Sequence, residues 1–433
     1  MDQNWIAIIA FVALFVLMAW RVPIGVSMGL VGVLGFAALT GLDPALKLVA
    51  LSPIRTVTDY SFAVIPMFLL MGAFCTESGM SRELYRASNA WLGHLPGGVA
   101  MATIAACAGF GAICGSSVAT AATFTTVALP EMRRYGYTDS MATGVIAAGG
   151  TLAILIPPSV VLAVYGLLTD QDIGKLFIAG ILPGLLATAL YMLTIQVIGW
   201  VKPGAFPPGR AGNWAERLAS LRDIWAVLVL FLWVIGGMYG GLFTPTEGAG
   251  MGAAGAYLIG IFRRRLSFKQ TVDCLVQTLR TTAAIFTILI GALLFGYFLT
   301  LTQTPQHVTE AMMGLNLGSY GTLLLLLALY LVLGCILDAM AMIILTVPII
   351  FPLVLQLGFD PIWFGVILVM VVELALITPP VGMNVYVIKG VSKDVSLRTI
   401  FGGVMPFIVA DLLRLGVLIA FPAISLLLPN QMG

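Results

Sequence analysis

Charge is the scarcest commodity in this chain of 433 residues: Asp, Glu, Lys and Arg together make up 9%, where a soluble domain carries about 25%. With 60% hydrophobic residues and a mean hydropathy of +1.06, that shortage excludes a water-soluble globule and implies a polytopic membrane protein. Neither sign dominates: 21 basic residues stand against 19 acidic ones, for a net charge of +2. No dense Lys/Arg run occurs, so nucleic acid is not an expected partner. Only two histidines are present, His94 and His307, both near expected loops or membrane interfaces, and neither reads as a ligand or a base. The five cysteines (Cys75, Cys107, Cys114, Cys274, Cys335) are odd in number and lie mostly in apolar stretches. They form neither a disulfide framework nor zinc spacing, and read as small core residues. No Walker A pattern suggests an ATP-driven pump. The first apolar run, 4–20, has no basic region before it and no small-residue cleavage site after it, so it reads as an uncleaved transmembrane helix.

What the chain does have is long apolar windows: about 4–20, 23–40, 60–79, 140–168, 178–199, 224–242, 246–262, 281–300, 362–388 and 399–428, ten candidate crossings. Two stretches, 97–130 and 319–352, do not fit as single crossings. Each would make a helix of roughly 50 Å against an apolar core of about 30 Å. Re-entrant hairpins that enter and leave on one side account for both.

Charge then orients the loops. If the hairpins do not cross, segments 80–92, 131–139, 200–223, 263–280 and 389–398 share one side and hold 16 of the 21 basic residues, Arg133, Arg134, Arg210 and Arg280 among them. The opposite loops, 169–176, 301–318 and 353–361, contain only Lys175. Basic loops collect in the cytoplasm, which leaves both termini outside.

The chain is also duplicated. A shift of 222 residues sets LIPPS (155–159) on ITPPV (377–381), and a shift of 223 sets Gly25, Met28 and Gly29 on Gly248, Met251 and Gly252. Each unit has five crossings and a hairpin. Five is odd, so the second copy should be inverted. The expected architecture is therefore all-α, with a first repeat at 1–200 (hairpin 97–130, broken helix 140–168), a cytoplasmic linker at 201–223, and a second repeat at 224–433 (hairpin 319–352, broken helix 362–388).

Within the first broken helix lies GGTLAILIPPS, residues 149–159. Two glycines and two prolines break a helix where no water can satisfy the freed backbone. A proline kink healed by neighbouring helices is one reading. Two Pro-Pro breaks at one offset, each matched to a polar hairpin, favour another: inverted repeats with interrupted helices build midplane sites for substrate and ion in secondary transporters. The hairpins carry CGSSVATAATFTT (114–126) and GCILDAMAMIILT (334–346), and the second break adds Glu373, Thr378, Gly382 and Asn384. Oxygen-only ligands suit a hard cation, although Ser and Thr also glue helices together. Asp338 is the strongest candidate, since a carboxylate in a membrane hairpin is functional by default. Glu373 is weaker and is expected to bond backbone freed by the break. Asp411 and Arg414 are expected to pair with each other, a substrate role for Arg414 being the rival reading, and Glu247 reads as a helix-start acid. A serine hydrolase would need a base beside Ser116 or Ser117, and the histidines lie elsewhere. A channel would also use carbonyls, but has little need of two inverted hairpin sites.

The patterns GAICGSSVATA (111–121), GGTLAILIPPS, LDAMAM (337–342) and TPPVGMN (378–384) resemble the large membrane subunit of tripartite ATP-independent periplasmic (TRAP) transporters, over essentially the whole chain. The resemblance implies an elevator-type, sodium-driven importer of organic acids in the bacterial inner membrane, with no enzymatic activity. Its implied partners are a small four-helix membrane subunit and a periplasmic substrate-binding protein. It implies one sodium site from Gly115, Ser116 and Ser117 with Gly149, Gly150 and Thr151, and a pseudo-symmetric one from Asp338 and Ala339 with Thr378, Pro379 and Met383. Substrate contacts would fall on Ser116, Ser117, Pro157, Pro158, Pro380 and Asn384. Sodium is the implied coupling ion, and no organic cofactor is implied.

Overall fold

A computed structural model describes residues 3–207 and 213–431; Arg210 and the extreme termini lie outside the described residues. Every regular element among them is helical. Six helices are long and apolar enough to cross a membrane unaided, and a seventh arises if Trp214–Asp223 and Trp225–Tyr239, bent by 47°, count as one span. The ten expected windows are present as helices, but several, such as Ile24–Thr40 and Pro361–Ala375, are shorter than a full crossing. The expected loops are less loop-like than their polarity implied. Leu42–Thr58, Met80–Leu92 and Trp214–Asp223 are helices, and Phe268–Leu301 absorbs Lys269 and the exposed Arg280 into one helix of 34 residues. These segments are amphipathic, so their average hydropathy hides a helical face; in Leu42–Thr58 that face is Ala45, Ser52 and Thr56.

Several helices correspond in position along the chain. At the offset found in the sequence, Met80–Leu92 falls on Thr304–Gly314, Gly98–Cys114 on Gly318–Gly334, Asp139–Leu155 on Pro361–Ala375, and Ile173–Val201 on Leu397–Ala420. One pair differs. The first copy has separate helices Leu42–Thr58 and Val64–Glu77, joined by a 3-10 turn at Tyr60–Ala63, where the second has the single helix Phe268–Leu301.

Both hairpins fold back on themselves. Across the first, Phe110 meets Phe124 at 5.8 Å between ring centroids, and Thr103 reaches the Met132 sulfur at 3.8 Å. Across the second, the Tyr330 and Thr346 hydroxyls share a hydrogen bond and Tyr320 meets Phe359 at 5.6 Å. Each arm pair is thus zipped from tip to mouth.

The basic segments gather at one end. Arg133 joins Asp139 at 2.7 Å and Asp394 at 2.6 Å, which ties 131–139 to 389–398. The Ser392 hydroxyl and this guanidinium hold the Asp394 carboxyl below its ordinary range. Arg263 forks onto Glu83 at 2.6 and 2.8 Å, and Tyr137 donates to the Pro207 carbonyl at 2.9 Å. The first broken helix starts here, at Asp139. Its far end lies beside the mouth of the second hairpin, where Tyr165 donates to the Pro361 carbonyl at 2.7 Å. The two hairpins therefore point toward each other from opposite ends.

Glycine lets the halves interlock. Helices Ile24–Thr40 and Phe268–Leu301 touch backbone to backbone: a Cβ on Gly32 would lie 2.5 Å from the Phe295 amide nitrogen, and one on Gly291 would collide with the Gly25 carbonyl. Such close approach is the usual means of helix association where lipid and side chain are equally apolar. Gly291→Val should therefore destabilise by at least about 1–3 kcal/mol, the scale of overpacking; a lowered melting midpoint of the detergent-solubilised protein checks it, and an unchanged midpoint refutes the close contact.

Candidate functional site

The tip of the first hairpin sits on the first break. Gly115 adopts a left-handed φ of +61°, and a Cβ there would lie 2.7 Å from the Pro158 carbonyl oxygen. Ser116 then starts the second arm, its hydroxyl accepting from the Ala119 amide at 3.3 Å. In the break, Ile156 makes the last helical bond, to Leu152 at 3.0 Å. Pro157 and Pro158 have no N–H, so the carbonyls of Ala153 and Ile154 receive no amide from one turn ahead. Ser159 caps the continuing helix by accepting from the Leu162 amide at 3.2 Å.

The second hairpin repeats the arrangement with different chemistry. A Cβ on Gly334 would collide with Ala375 just before the second break, and Cys335 donates to the Pro379 carbonyl at 3.5 Å. Asp338 stands where Ser116 does, and its carboxylate accepts from the Met340 amide at 3.2 Å. Here the freed carbonyls find partners: the Thr378 amide bonds Ala375 at 3.3 Å and the Asn384 amide bonds Leu376 at 3.1 Å. The Thr378 hydroxyl is also engaged, donating to the Leu374 carbonyl at 2.6 Å. Gly382, at φ +57°, turns the chain into the helix Met383–Val391. The two breaks are thus unequal, the first leaving more carbonyl capacity for a ligand.

Both tips face one cavity of about 260 Å³, lined by Gly115, Ser116, Ser117, Ile154, Asp338, Ala339 and Leu376, with Thr281, Ala284, Ile285 and Ile288 of the long helix as the opposite wall. A neighbouring cavity of similar volume shares Leu69, Ser116 and Thr281, and adds Thr76, Glu77, Thr123, Gln277 and Thr278 toward the basic end. The structure therefore brings together the two hairpin tips that the sequence assigned to separate sites. The lining does not include Gly149, Gly150, Thr151, Thr378, Pro379, Met383, or the candidate substrate contacts Pro157, Pro158, Pro380 and Asn384. Thr151 turns away, donating to the Ala148 carbonyl at 2.8 Å and lying 3.3 Å from the Tyr191 hydroxyl. Gln277, Thr278 and Thr281 had no motif to announce them; the available signal was a polar face on an otherwise apolar helix.

Asn384 acts as a strut. It is fully buried, its carbonyl oxygen accepts from the Ser117 hydroxyl at 2.8 Å, and its amide donates to the Ala147 carbonyl at 3.3 Å. Gly150 makes room for it: a Cβ there would stand 3.3 Å from the Asn384 amide nitrogen. Glu373 also departs from expectation. Rather than only bonding freed backbone, it pairs with Arg414 at 2.8 Å, and Arg414 reaches Asp411, its expected partner, at 3.0 Å. Sequence spacing foresaw the local pair but not the one 41 residues apart.

The donors at the tips are hydroxyls, carbonyls and one carboxylate, an oxygen set suited to a hard cation. Among the described residues no three His, Cys, Asp or Glu side chains gather as a transition metal would require. Residues 11–424 match the family described as the tripartite ATP-independent periplasmic transporter, DctM component. The chain belongs to this family. This TRAP permease is 37% identical over 409 residues to the C4-dicarboxylate TRAP transporter large permease protein DctM of Pseudomonas aeruginosa, covering 94% of each chain. It is 30% identical to the sialic acid TRAP transporter large permease protein SiaM of Vibrio cholerae, over 94% of this chain and 95% of that one. It is 34% identical to the isethionate TRAP transporter permease protein DctMQ of Oleidesulfovibrio alaskensis, covering 96% of this chain but 65% of the longer relative. In structure it resembles the YdaH transporter of Alcanivorax borkumensis, with a TM-score of 0.58 at 16% identity over 88% of this chain and 90% of that one, a likeness of fold. The TRAP permease is accordingly a multi-pass inner-membrane transport protein and not an enzyme.

The strut between the halves of this permease is testable. Ser117→Ala and Asn384→Ala should each lower stability by about 1–2 kcal/mol through a lost or orphaned buried hydrogen bond, and the double variant should lose less than the sum. Additive losses in thermal melts would show that the two side chains are not coupled.

Proposed function

We propose that this permease is the sodium-coupled large subunit of a TRAP importer for a small organic acid. The observation that carries the reading is the pair of hairpin tips, each seated on a broken helix, converging on one cavity beside a polar lane. Open carbonyls at Ala153 and Ile154, the hydroxyls of Ser116 and Ser117, and the Asp338 carboxylate supply oxygen ligands for sodium. Amide-rich helix starts at Ser117 and Ala339 face the same space, as an anionic carboxylate requires. Of the residues implied in the sodium sites, Gly149 and Gly150 act by letting Ile104, Cys107, Ala121 and Asn384 pack closely, and Thr378, Pro379 and Met383 shape the second break.

Relatives named for C4-dicarboxylates, sialic acid, isethionate and ectoine support a small organic acid as the substrate class. We favour a small carboxylate, delivered by a periplasmic binding protein. Two fused relatives, DctMQ and the sialic acid permease SiaT of Haemophilus influenzae, support a small membrane subunit as a partner. The two halves would be inverted repeats, 1–200 and 224–433, with the basic end in the cytoplasm and the termini in the periplasm. The tips and broken helices would slide as one body against a frame that includes Phe268–Leu301.

Two experiments test this reading. In proteoliposomes carrying both membrane subunits, with the binding protein added, uptake should saturate and require an inward sodium gradient. Asp338→Ala should reduce that uptake at least about tenfold, more than the ~1 kcal/mol expected for a lost helix cap would explain. Conduction without a gradient would indicate a channel, and full sodium-driven uptake by the variant would remove Asp338 from the site. For orientation, single cysteines at Arg134 and Gln356 in a cysteine-free background should label from opposite faces of the membrane; same-face labelling excludes the inverted arrangement.

A further inference from the structure

Between the hairpin tips and the basic end runs a lane of oxygen atoms that the helix breaks do not require. Its cavity of about 260 Å³ reaches from Ser116 at the first tip to Glu77, the last residue of the helix Val64–Glu77. Gln277, Thr278 and Thr281 of the long helix form the facing wall, and Gln270, nearer the basic end, donates to the Glu77 carboxylate at 3.3 Å. Thr76 and Thr281 donate their hydroxyl protons to helix carbonyls, of Gly72 at 2.7 Å and of Gln277 at 3.1 Å, so their oxygen lone pairs stay open to the cavity. Thr278 is 8% exposed, and its hydroxyl has no hydrogen-bond partner among the described residues. A ligand in the cavity would remove the cost of that unmade bond.

Glu77 carries the one charge on this lining, and among the described residues no basic side chain forms an ion pair with it. The next cavity toward the basic end carries Arg82 and Arg86 beside Glu131 and Glu216. A cation leaving that way passes two guanidiniums, and a carboxylate placed ahead of them offsets the repulsion. The opposite end of the interface has a different character. There the cavity of about 230 Å³ between the long helix and the second hairpin is lined by Leu168, Leu293, Leu299, Ile344 and Ile349, with side-chain hydroxyls only at Tyr297 and Thr300. We propose that the oxygen lane is the release path of the coupling sodium, and that Glu77, with the oxygens of Gln277 and Thr278, forms a cation subsite at its mouth, separate from the tips. An all-oxygen set with one carboxylate suits a hard monovalent cation. This deepens, and rests on, the sodium coupling proposed above.

The test uses proteoliposomes carrying both membrane subunits, with the binding protein, loaded with its own ligand, outside only. Uptake then reports the molecules whose basic end faces the lumen, and initial entry of radioactive sodium is the readout. Lumenal sodium is varied against potassium at constant ionic strength, and it should inhibit entry in the wild type. Glu77→Gln is an isosteric change at an exposed position. In it the half-inhibitory lumenal sodium should rise about fivefold, the order expected for removing one charge a few ångströms from the ion in water. Half-saturation by external sodium should stay unchanged, which also shows that the variant folds. Thr278→Val should act in the same sense on the lumenal value. A lumenal value unchanged in both variants, or an equal shift on both faces, would overturn the lane while leaving sodium coupling intact. Wild-type uptake indifferent to sodium on either face would instead remove the coupling, and the lane with it.

Discussion

A backbone freed from its helix inside a bilayer has no water to turn to, and the architecture of this permease is organised around that constraint. Each break is met by a hairpin tip: Gly115 lies over the Pro158 carbonyl, while Gly334 and Cys335 lie against Ala375 and Pro379. Where the partner amides are close, at Ala375 and Leu376, the freed carbonyls are satisfied internally. At Ala153 and Ile154 no amide among the described residues steps in for those that Pro157 and Pro158 lack. The two breaks therefore differ in how far their backbone is satisfied.

The glycines follow from the same requirement. A tip can cover a break only if the helices beneath approach to backbone contact, as Gly111 does against Ala153 and Gly180 against the Leu155 carbonyl. Polar side chains then link what the glycines bring together. Asn384 from the second half is inserted between Ser117 and Ala147 of the first, and Tyr191 of the first half reaches Asp411 of the second. The core is therefore a shared structure built from both copies, not two sites side by side. Its pseudo-symmetry is broken by substitution: Ser116 against Asp338, Thr151 against Glu373, Tyr191 against Arg414.

How much of this was legible in advance depended on range. Helix breaks, hairpins and duplication are local or periodic properties, visible in Pro-Pro pairs, in Gly-Ser-Ser and in the repeated offset. The basic loops could be grouped because charge asymmetry follows the side of the membrane, and Arg133–Asp394 and Arg263–Glu83 now join them in space. Amphipathic segments such as Leu42–Thr58 were missed because averaging over a window cancels the face that a helix presents.

The sequence by itself thus determined the solvent, the repeated spacing of motifs, the places where helices must break and the oxygen-rich side chains of the hairpin tips, since each is written in composition or in spacing along one segment. Only the tertiary structure decided that both tips open on one cavity, that Thr281 of the long helix forms its far wall, that Asn384 is braced between Ser117 and Ala147, and that Glu373 faces Arg414. Those outcomes depend on helices 40 to 270 residues apart meeting at particular rotations, and hydropathy and motif spacing contain no information about which face of one helix meets which face of another.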